Sequence, residues 1–362
     1  MSRKFQRTNK RIVVKVGSSV IASLKLKRQA KRLRLLVEQI SRIKTNGVEV
    51  VLVSSGAIVL GMGELNLKTR PSDLASLQAC AAIGQALLMR TYSDLFGKNN
   101  IKCAQVLLTW EDFSNRERYN NARHTLNSIL GFGVIPVINE NDTISTDEIK
   151  FGDNDKLSAL VSSLIGADLL IMLSDVEGLY DVRGEKKEIF SEIKEVTKEI
   201  EGIASGTNKK NISRGGMIAK LDAVKIATHA NIPCVIASGD AENVLERILK
   251  GERIGTFFME KEEKLLSRQH WISFGAWPKG KLIVDHGAKE ALLKGGKSLL
   301  LPGIVSWDGN FKVDDVVVVV DQGGGEIARG ITNYSIGDLH KAVDKKGKHE
   351  VIHCENLILG QR

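Results

Sequence analysis

The sequence predicts an α/β fold, in which an open, mostly parallel sheet lies between helical layers as an αβα sandwich and is followed by a small β-rich, barrel-like domain. Three observations carry this reading. Aliphatic runs alternate with helix-like stretches from Arg11 to Phe258, as in chains whose parallel strands are joined by crossover helices. The runs are continuous, as in strands buried on both faces. Beyond Pro278 the pattern changes to short β-rich runs between Gly-rich turns, a spacing that suits a small barrel or sandwich.

In order, residues 12–16 form the first strand, 29–44 a helix, 48–53 a strand, 73–96 a helix, 101–108 a strand, 115–130 a helix and 134–138 a strand. The alternation continues with helix 155–165, strand 169–173, helix 216–230, strand 232–237 and helix 242–249. Each strand is a short aliphatic run, and each helix a longer stretch of mixed polarity. Charged, aromatic-containing residues 259–278 end at Trp277-Pro278 and mark the boundary. Beyond it, 281–284, 316–320, 326–330 and 350–353 read as strands and 289–294 as a helix. The expected domains are therefore 1–258 and 279–362, joined by a linker over 259–278.

The 362 residues are 43% hydrophobic and 26% charged, a globular composition long enough for two domains. No apolar run approaches the ~18 residues of a membrane span, and the basic N-terminus leads directly into Ile12 without a signal-like segment, so neither membrane insertion nor export is expected. Cys80, Cys103, Cys234 and Cys354 lie far apart, which argues against a disulfide framework or zinc ribbon and suits the reduced thiols of a cytoplasmic protein. The net charge of +9 is local: residues 1–47 hold 14 Lys and Arg against one acid, whereas 279–362 hold 12 against 11. The basic arm reads either as a solvated face or as a contact with a polyanion or another subunit.

Four clusters sit where strands end, the edge at which open α/β sheets bind ligands. Lys15 lies in an otherwise apolar strand before Gly17-Ser18-Ser19. A buried ammonium needs an anion such as a phosphate or carboxylate, unless the long stem reaches solvent from an edge. Ser54-Ser55-Gly56-Ala57 follows the second strand and either receives a ligand or caps a helix with Ser55. After 134–138 comes an acidic, amide-rich stretch in which Asp142, Asp153, Asn154 and Asp155 are placed to hold a cation-linked polar ligand, or else form a solvated loop. Ser174 and Asp175 follow strand 169–173, where a nucleotide could lie. Further on, Arg214, Gly215, Gly216, Met217, Ile218, Ala219 and Lys220 open a helix, with amides free for an anion or simply as a Gly-rich turn.

Three motif matches fail on physical grounds. Gly296-Lys297-Ser298 lacks the first glycine of a P-loop, because residue 291 is Ala. Asp153-Asn154-Asp155 begins like a calcium loop, but Leu157 occupies a ligand position. His349-Glu350-Val351-Ile352-His353 matches a zinc-protease motif, yet its β-branched pair favours a strand, which would hold the histidines about 13 Å apart.

Taken together, Lys15-x-Gly-Ser-Ser, Ser54-Ser-Gly-Ala57, Val137-Ile-Asn-Glu-Asn-Asp142, Phe151-Gly-Asp-Asn-Asp155, Leu173-Ser-Asp175 and Gly215-Gly-Met-x-x-Lys220 occur in this order. The set closely resembles the glutamate 5-kinases of the amino acid kinase superfamily, and residues 279–362 resemble the PUA domain that follows the kinase in many bacterial members. The resemblance implies the amino acid kinase fold and the MgATP-dependent phosphorylation of the γ-carboxylate of L-glutamate, the first step of proline biosynthesis. It implies that Ser55, Asp142 and Asn154 bind glutamate, and that Lys15, Ser174, Asp175 and residues 214–220 contact ATP. Ser174 and Arg214 stand where many members have Thr. The resemblance also implies proline as a feedback inhibitor at or near the glutamate site, assembly into homodimers or homotetramers, and hand-over of the acyl phosphate to glutamyl phosphate reductase.

For such a reaction the nucleophile is a carboxylate already ionised at neutral pH, so no general base is needed. The obstacle is repulsion between two anions, which alignment and cations overcome. Lys15 and Lys220 suit that task, with Asp155 to orient both, and Asp153 or Asp155 to help hold Mg²⁺. Superfamily members acting on N-acetylglutamate, aspartate, carbamate or UMP are the nearest rivals, and the Gly-Asp-Asn-Asp motif and C-terminal domain argue against them. An RNA-binding role through the PUA-like domain is a rival of another class. The net of +1 over 279–362 falls short of the basic patch that RNA requires.

Overall fold

The structure, a computed structural model, describes residues 9–18, 27–144, 154–181, 183, 188–206, 216–261, 272, 278–342 and 349–359. The chain divides into two compact units, residues 1–112 with 117–264, and residues 113–116 with 265–362.

In the first unit the elements run β1 (Arg11–Val16), α1 (Lys27–Thr45), β2 (Glu49–Val53), α2 (Ala57–Glu64), α3 (Leu74–Gly97), β3 (Cys103–Leu108), α4 (Arg116–Gly131), β4 (Ile135–Glu140), α5 (Asn154–Ile165) and β5 (Leu169–Ser174). There follow β6 (Tyr180–Asp181), β7 (Glu188–Ile189), β8 (Glu192–Ile193), α6 (Lys198–Gly206), α7 (Gly216–His229), β9 (Cys234–Ser238), α8 (Val244–Leu249) and β10 (Thr256–Phe258). Eight strands form one sheet in the order β3-β4-β2-β1-β5-β9-β10-β8. The first six are mutually parallel, and β10 turns the sheet by pairing antiparallel to β9. The chain leaves β1 toward β2 on one side and returns through β5 on the other, so β1 marks a topological switch point.

Alternation along β1 decides which residue faces what. Ile12, Val14 and Val16 join Leu33, Val37 and Ile40 of α1 and Leu88, Tyr92 and Phe96 of α3 in one core. Lys15 therefore faces the opposite layer, where α5 lies. The register of β1 is fixed at its amino end: Asp168 accepts from the backbone N–H of Lys10 and Arg11, both at 2.9 Å. The Arg11 guanidinium reaches Glu49 at 2.7 Å, Asn127 at 3.0 Å and the carbonyl of Ile165 at 2.5 Å.

Helix α3 begins at Asp73, whose carboxylate accepts from the Ser76 N–H at 2.8 Å. It packs on α2 backbone to backbone, since a Cβ at Gly84 would lie 1.7 Å from the Ala57 carbonyl and one at Gly61 1.8 Å from that of Cys80. Part of the basic excess of the N-terminal arm is balanced across α1, where Arg32 pairs with Asp240 at 2.5 Å and Arg42 with Glu246 at 2.5 Å.

In the second unit β11 (Gly280–Val284), α9 (His286–Leu293), β12 (Leu299–Leu300), β13 (Ile304–Gly309), β14 (Val316–Asp321), β15 (Glu326–Ile331), α10 (Ile336–Ala342), β16 (Glu350–Ile352) and β17 (Leu357–Leu359) enclose a core of Leu282, Val284, Val317, Val319 and Ile352. The small β-rich domain expected beyond Pro278 is present. Five strands pair in the order β13-β11-β14-β15-β17, β12 and β16 pair separately, and among the described residues no ladder closes the ring. Ile272, within the segment expected as a linker, is buried against Val316 and Ile331. The His-Glu-x-x-His stretch is β16, a strand, and Gly295 and Gly296 form a turn at positive φ. Among the described residues no helix is long and apolar enough to cross a membrane.

Candidate active site

Parallel register brings the carboxyl ends of the central strands to one edge. Lys15 lies level with Val53 and Met172, Val53 with Ile138, and Ser174 with Ser238. Three groups of side chains gather there.

The first is a charged triad. Helix α5 starts at Asn154, which places Asp155 in its first turn, where the helix dipole favours a carboxylate. Asp155 Oδ1 lies 2.5 Å from Lys15 Nζ and Oδ2 lies 2.9 Å from Lys220 Nζ, which also donates to the Gly216 carbonyl at 3.3 Å. Burial pushes the Asp155 carboxyl up, and the Lys15 and Lys220 ammoniums beside it more than offset that, so it lies below the ordinary carboxylate range. The triad carries two positive charges against one negative, a surplus that attracts an anion. Lys15, read from sequence as a charge in need of an anion, meets a carboxylate.

The second is a network of buried amides. Asn154 Nδ2 meets the Ser54 carbonyl at 2.6 Å, Ser55 Oγ at 3.0 Å and Asn139 Oδ1 at 2.8 Å. Asn139 in turn donates to Gln85 Oε1 of α3 at 2.8 Å, and the Tyr92 and Ser54 hydroxyls lie 2.9 Å apart. Ser55 does not cap α2; the cap is Gly56 at φ 96°, with no side-chain bond. That left-handed residue turns the chain so that Ser55 faces Asn154. Asp142 lies just beyond β4 in the wall of a cavity of about 290 Å³, shared with Gln85, Gln105, Glu140 and Thr143. Sequence reasoning missed Gln85, Tyr92 and the part played by Asn139. The one available signal was polar groups at core-facing positions of an otherwise apolar helix face.

The third is the opening of α7. Gly216, Met217, Ile218 and Ala219 form its first turn, and Lys220 follows one turn in. Ser174 Oγ, at the end of β5, donates to Asp175 at 2.9 Å. Asp153, Arg214 and Gly215 lie outside the described residues. Both oxygens of Asp155 face ammonium groups, an environment that opposes a directly bound divalent cation. Among the described residues no cluster of three or more His, Cys, Asp or Glu could hold a metal ion.

Residues 10–238 match the model of the amino acid kinase family, and residues 280–354 that of the PUA domain. The chain is 45% identical over 366 residues to the glutamate 5-kinase of Caldanaerobacter subterraneus subsp. tengcongensis, covering 97% of this chain and 98% of that one. The chain belongs to the glutamate 5-kinase family. The glutamate 5-kinase of a Thermoanaerobacter species is 44% identical, covering 97% of this chain and 98% of that one. That of Carboxydothermus hydrogenoformans is 43% identical, covering 99% of each. Membership of the glutamate 5-kinase family makes the chain a kinase, with the amino acid kinase fold and a C-terminal PUA domain. The solved structure of carbamate kinase from Giardia lamblia bound to AMP-PNP covers 70% of this chain and 99% of that one at 17% identity and a TM-score of 0.47. That likeness is too distant for its ligand to bear on this chain.

Proposed function

We propose that the chain transfers the γ-phosphoryl group of ATP to the γ-carboxylate of L-glutamate, giving L-glutamyl 5-phosphate, the first step of proline biosynthesis. The observation that carries the reading is the Lys15–Asp155–Lys220 triad beside the Ser55–Asn154 amide cradle. Glutamate attacks as the carboxylate it already is, so the chain's task is to bring two anions together. Lys15 and Lys220, held by Asp155, neutralise the charge that spreads over the transferring phosphoryl oxygens. Ser55, Asn154 and Asp142 hold the glutamate. Ser174, Asp175 and residues 214–220 take the nucleotide, and the amides at the start of α7, from Gly216, suit its phosphates.

Mg²⁺ bound with ATP would supply further screening of its phosphates. With Asp155 engaged by both lysines, Asp153 would be the one of the two expected carboxylates left to help hold the ion beside phosphate oxygens and water. The proposal includes residues 1–258 as the kinase domain, 259–278 as its connection and 279–362 as the PUA domain. It also includes feedback by proline near the glutamate site, a homodimer or homotetramer, hand-over to glutamyl phosphate reductase and a cytoplasmic location.

The test is to trap the acyl phosphate with hydroxylamine in reactions of MgATP with glutamate, N-acetylglutamate or aspartate, with and without proline. Hydroxamate from glutamate alone, suppressed by proline, is the expected result. Its absence from a folded, ATP-binding preparation refutes the proposal.

A further inference from the structure

The buried amides form a relay whose direction is fixed. Asn139 Oδ1 accepts from the backbone N–H of Glu140 at 3.0 Å and from Asn154 Nδ2 at 2.8 Å. A backbone N–H can only donate, so Asn139 presents its oxygen there and turns its NH₂ to Gln85 Oε1 at 2.8 Å. Asn154 is set in the same sense, because its Nδ2 also meets the Ser54 carbonyl, which can only accept, at 2.6 Å. Ser55 Oγ receives that amide at 3.0 Å, which leaves its hydroxyl proton to donate elsewhere. Gln85, Asn139, Asn154 and Ser55 are 8%, 2%, 7% and 8% exposed, so their bonds to one another are made in the interior, where each counts for more than in water.

We infer that Gln85 is a positioning residue for the acceptor substrate. Its carboxamide oxygen holds Asn139, and through Asn139 the Asn154–Ser55 pair, in the sense that offers the Ser55 proton to a carboxylate. The inference rests on the proposed function, in which Ser55 and Asn154 meet glutamate. Without an acceptor at position 85, the buried Asn139 NH₂ has no partner among the described residues. Asn139 cannot turn, because the Glu140 N–H and the Asn154 NH₂ both require its oxygen, so it shifts toward another acceptor and loosens its hold on Asn154. Ser55, which Asn154 holds, then loses its fixed orientation toward the substrate. Ser55 and Asn154 meet glutamate whereas Lys15 and Lys220 meet ATP, so the effect is expected to fall on glutamate more than on ATP.

Gln85 Nε2 is buried without a partner among the described residues, in the wall of the cavity that also holds Asp142. A direct contact through that nitrogen is the competing role, and two variants separate them. Gln85→Met keeps the length and removes both polar atoms. Gln85→Glu, protonated or ionised, keeps an oxygen that accepts from Asn139.

The experiment measures kcat and KM for glutamate and ATP by hydroxamate formation in wild type and both variants. Gln85→Met is expected to raise KM for glutamate about tenfold, the effect of one unsatisfied buried donor, with kcat and KM for ATP within about twofold. Gln85→Glu is expected to stay within about threefold of wild type. An unmoved KM in Gln85→Met, an equal rise in both variants, or an equal rise in KM for ATP overturns the inference. Should Gln85→Met not fold by circular dichroism, Gln85→Glu decides: a KM near wild type supports the relay, and a tenfold rise overturns it. A wild-type protein that makes no hydroxamate refutes the proposed function and the relay's purpose with it. Normal wild-type turnover with an unmoved KM in Gln85→Met refutes the relay alone.

Discussion

Lys15 Nζ lies 2.5 Å from Asp155 Oδ1, and both side chains are almost fully buried, at 7% and 4% exposure. A pair so enclosed fixes the ammonium's position before any ligand arrives, which is what electrostatic catalysis requires. Lys15→Ala and Lys220→Ala are each expected to lower kcat by roughly 10²- to 10³-fold, the usual effect of removing one preorganised donor. Single-turnover measurements on folded variants check this, and near-normal turnover would remove that lysine from the mechanism.

Asp155→Asn leaves two ammoniums around a neutral group. Breaking a buried ion pair from one side costs about 3–5 kcal/mol. Because the folded-state pKa of Asp155 is lowered, its contribution is present above the ordinary carboxylate range and is lost as pH falls through the folded value. The stability gap between wild type and Asp155→Asn should therefore be full at neutral pH and narrow on acidification below about pH 4. Thermal unfolding of both proteins across that range measures it, and a gap that is constant with pH would refute the assignment.

Tyr92→Phe removes the hydroxyl that meets Ser54 at 2.9 Å in the core. A loss of about 1–2 kcal/mol is expected, since the buried Ser54 hydroxyl loses its shorter bond and keeps only a 3.4 Å one to the Ser55 carbonyl, without a change in packing. Urea unfolding should show it as a lower midpoint, and an unchanged midpoint would mean that Ser54 finds another partner.

Gly84→Ala places a methyl where the Ala57 carbonyl already lies. Overpacking of this kind costs roughly 1–3 kcal/mol, and more where backbone rather than side chain must move. Separation of α2 from α3 should also displace the Ser55–Gly56 turn, so lower stability and a higher KM for glutamate are expected together. A stability loss with KM unmoved would show that the turn holds without α3.

The legible parts of the site were those that break a pattern. A lysine inside an aliphatic strand stands out, and so do paired glycines before a helix. Gln85 and Asn139 do not, because one amide in a helix resembles any other, and their contact spans 54 residues of sequence. The strands β8 and β10, of two and three residues, exist through pairing with β9 and with each other, which no local pattern announces. Helix α2 went unread because Gly61 and Gly63 argue against a helix locally. Tertiary contact overrides that preference, since the bare backbone of Gly61 admits α3. In the second unit the strand runs 281–284, 316–320, 326–330 and 350–353 were visible. The pairing of β16 with β12 was not, because the two residues of β12 carry no alternation.

Arg11 gives β1 the character of a ruler. Asp168, Glu49, Asn127 and the carbonyl of Ile165 clamp one end of the strand, and Lys15 is the mark about 13 Å along it at the usual rise per residue. A slip by one residue would turn that lysine into the opposite core and bring Val14 or Val16 to the triad. Placement of the ammonium is thus decided at the far edge of the sheet, by residues that never approach a substrate. Asn127 and Glu49 are then places where a mutation could silence the enzyme while every group around the substrate keeps its identity.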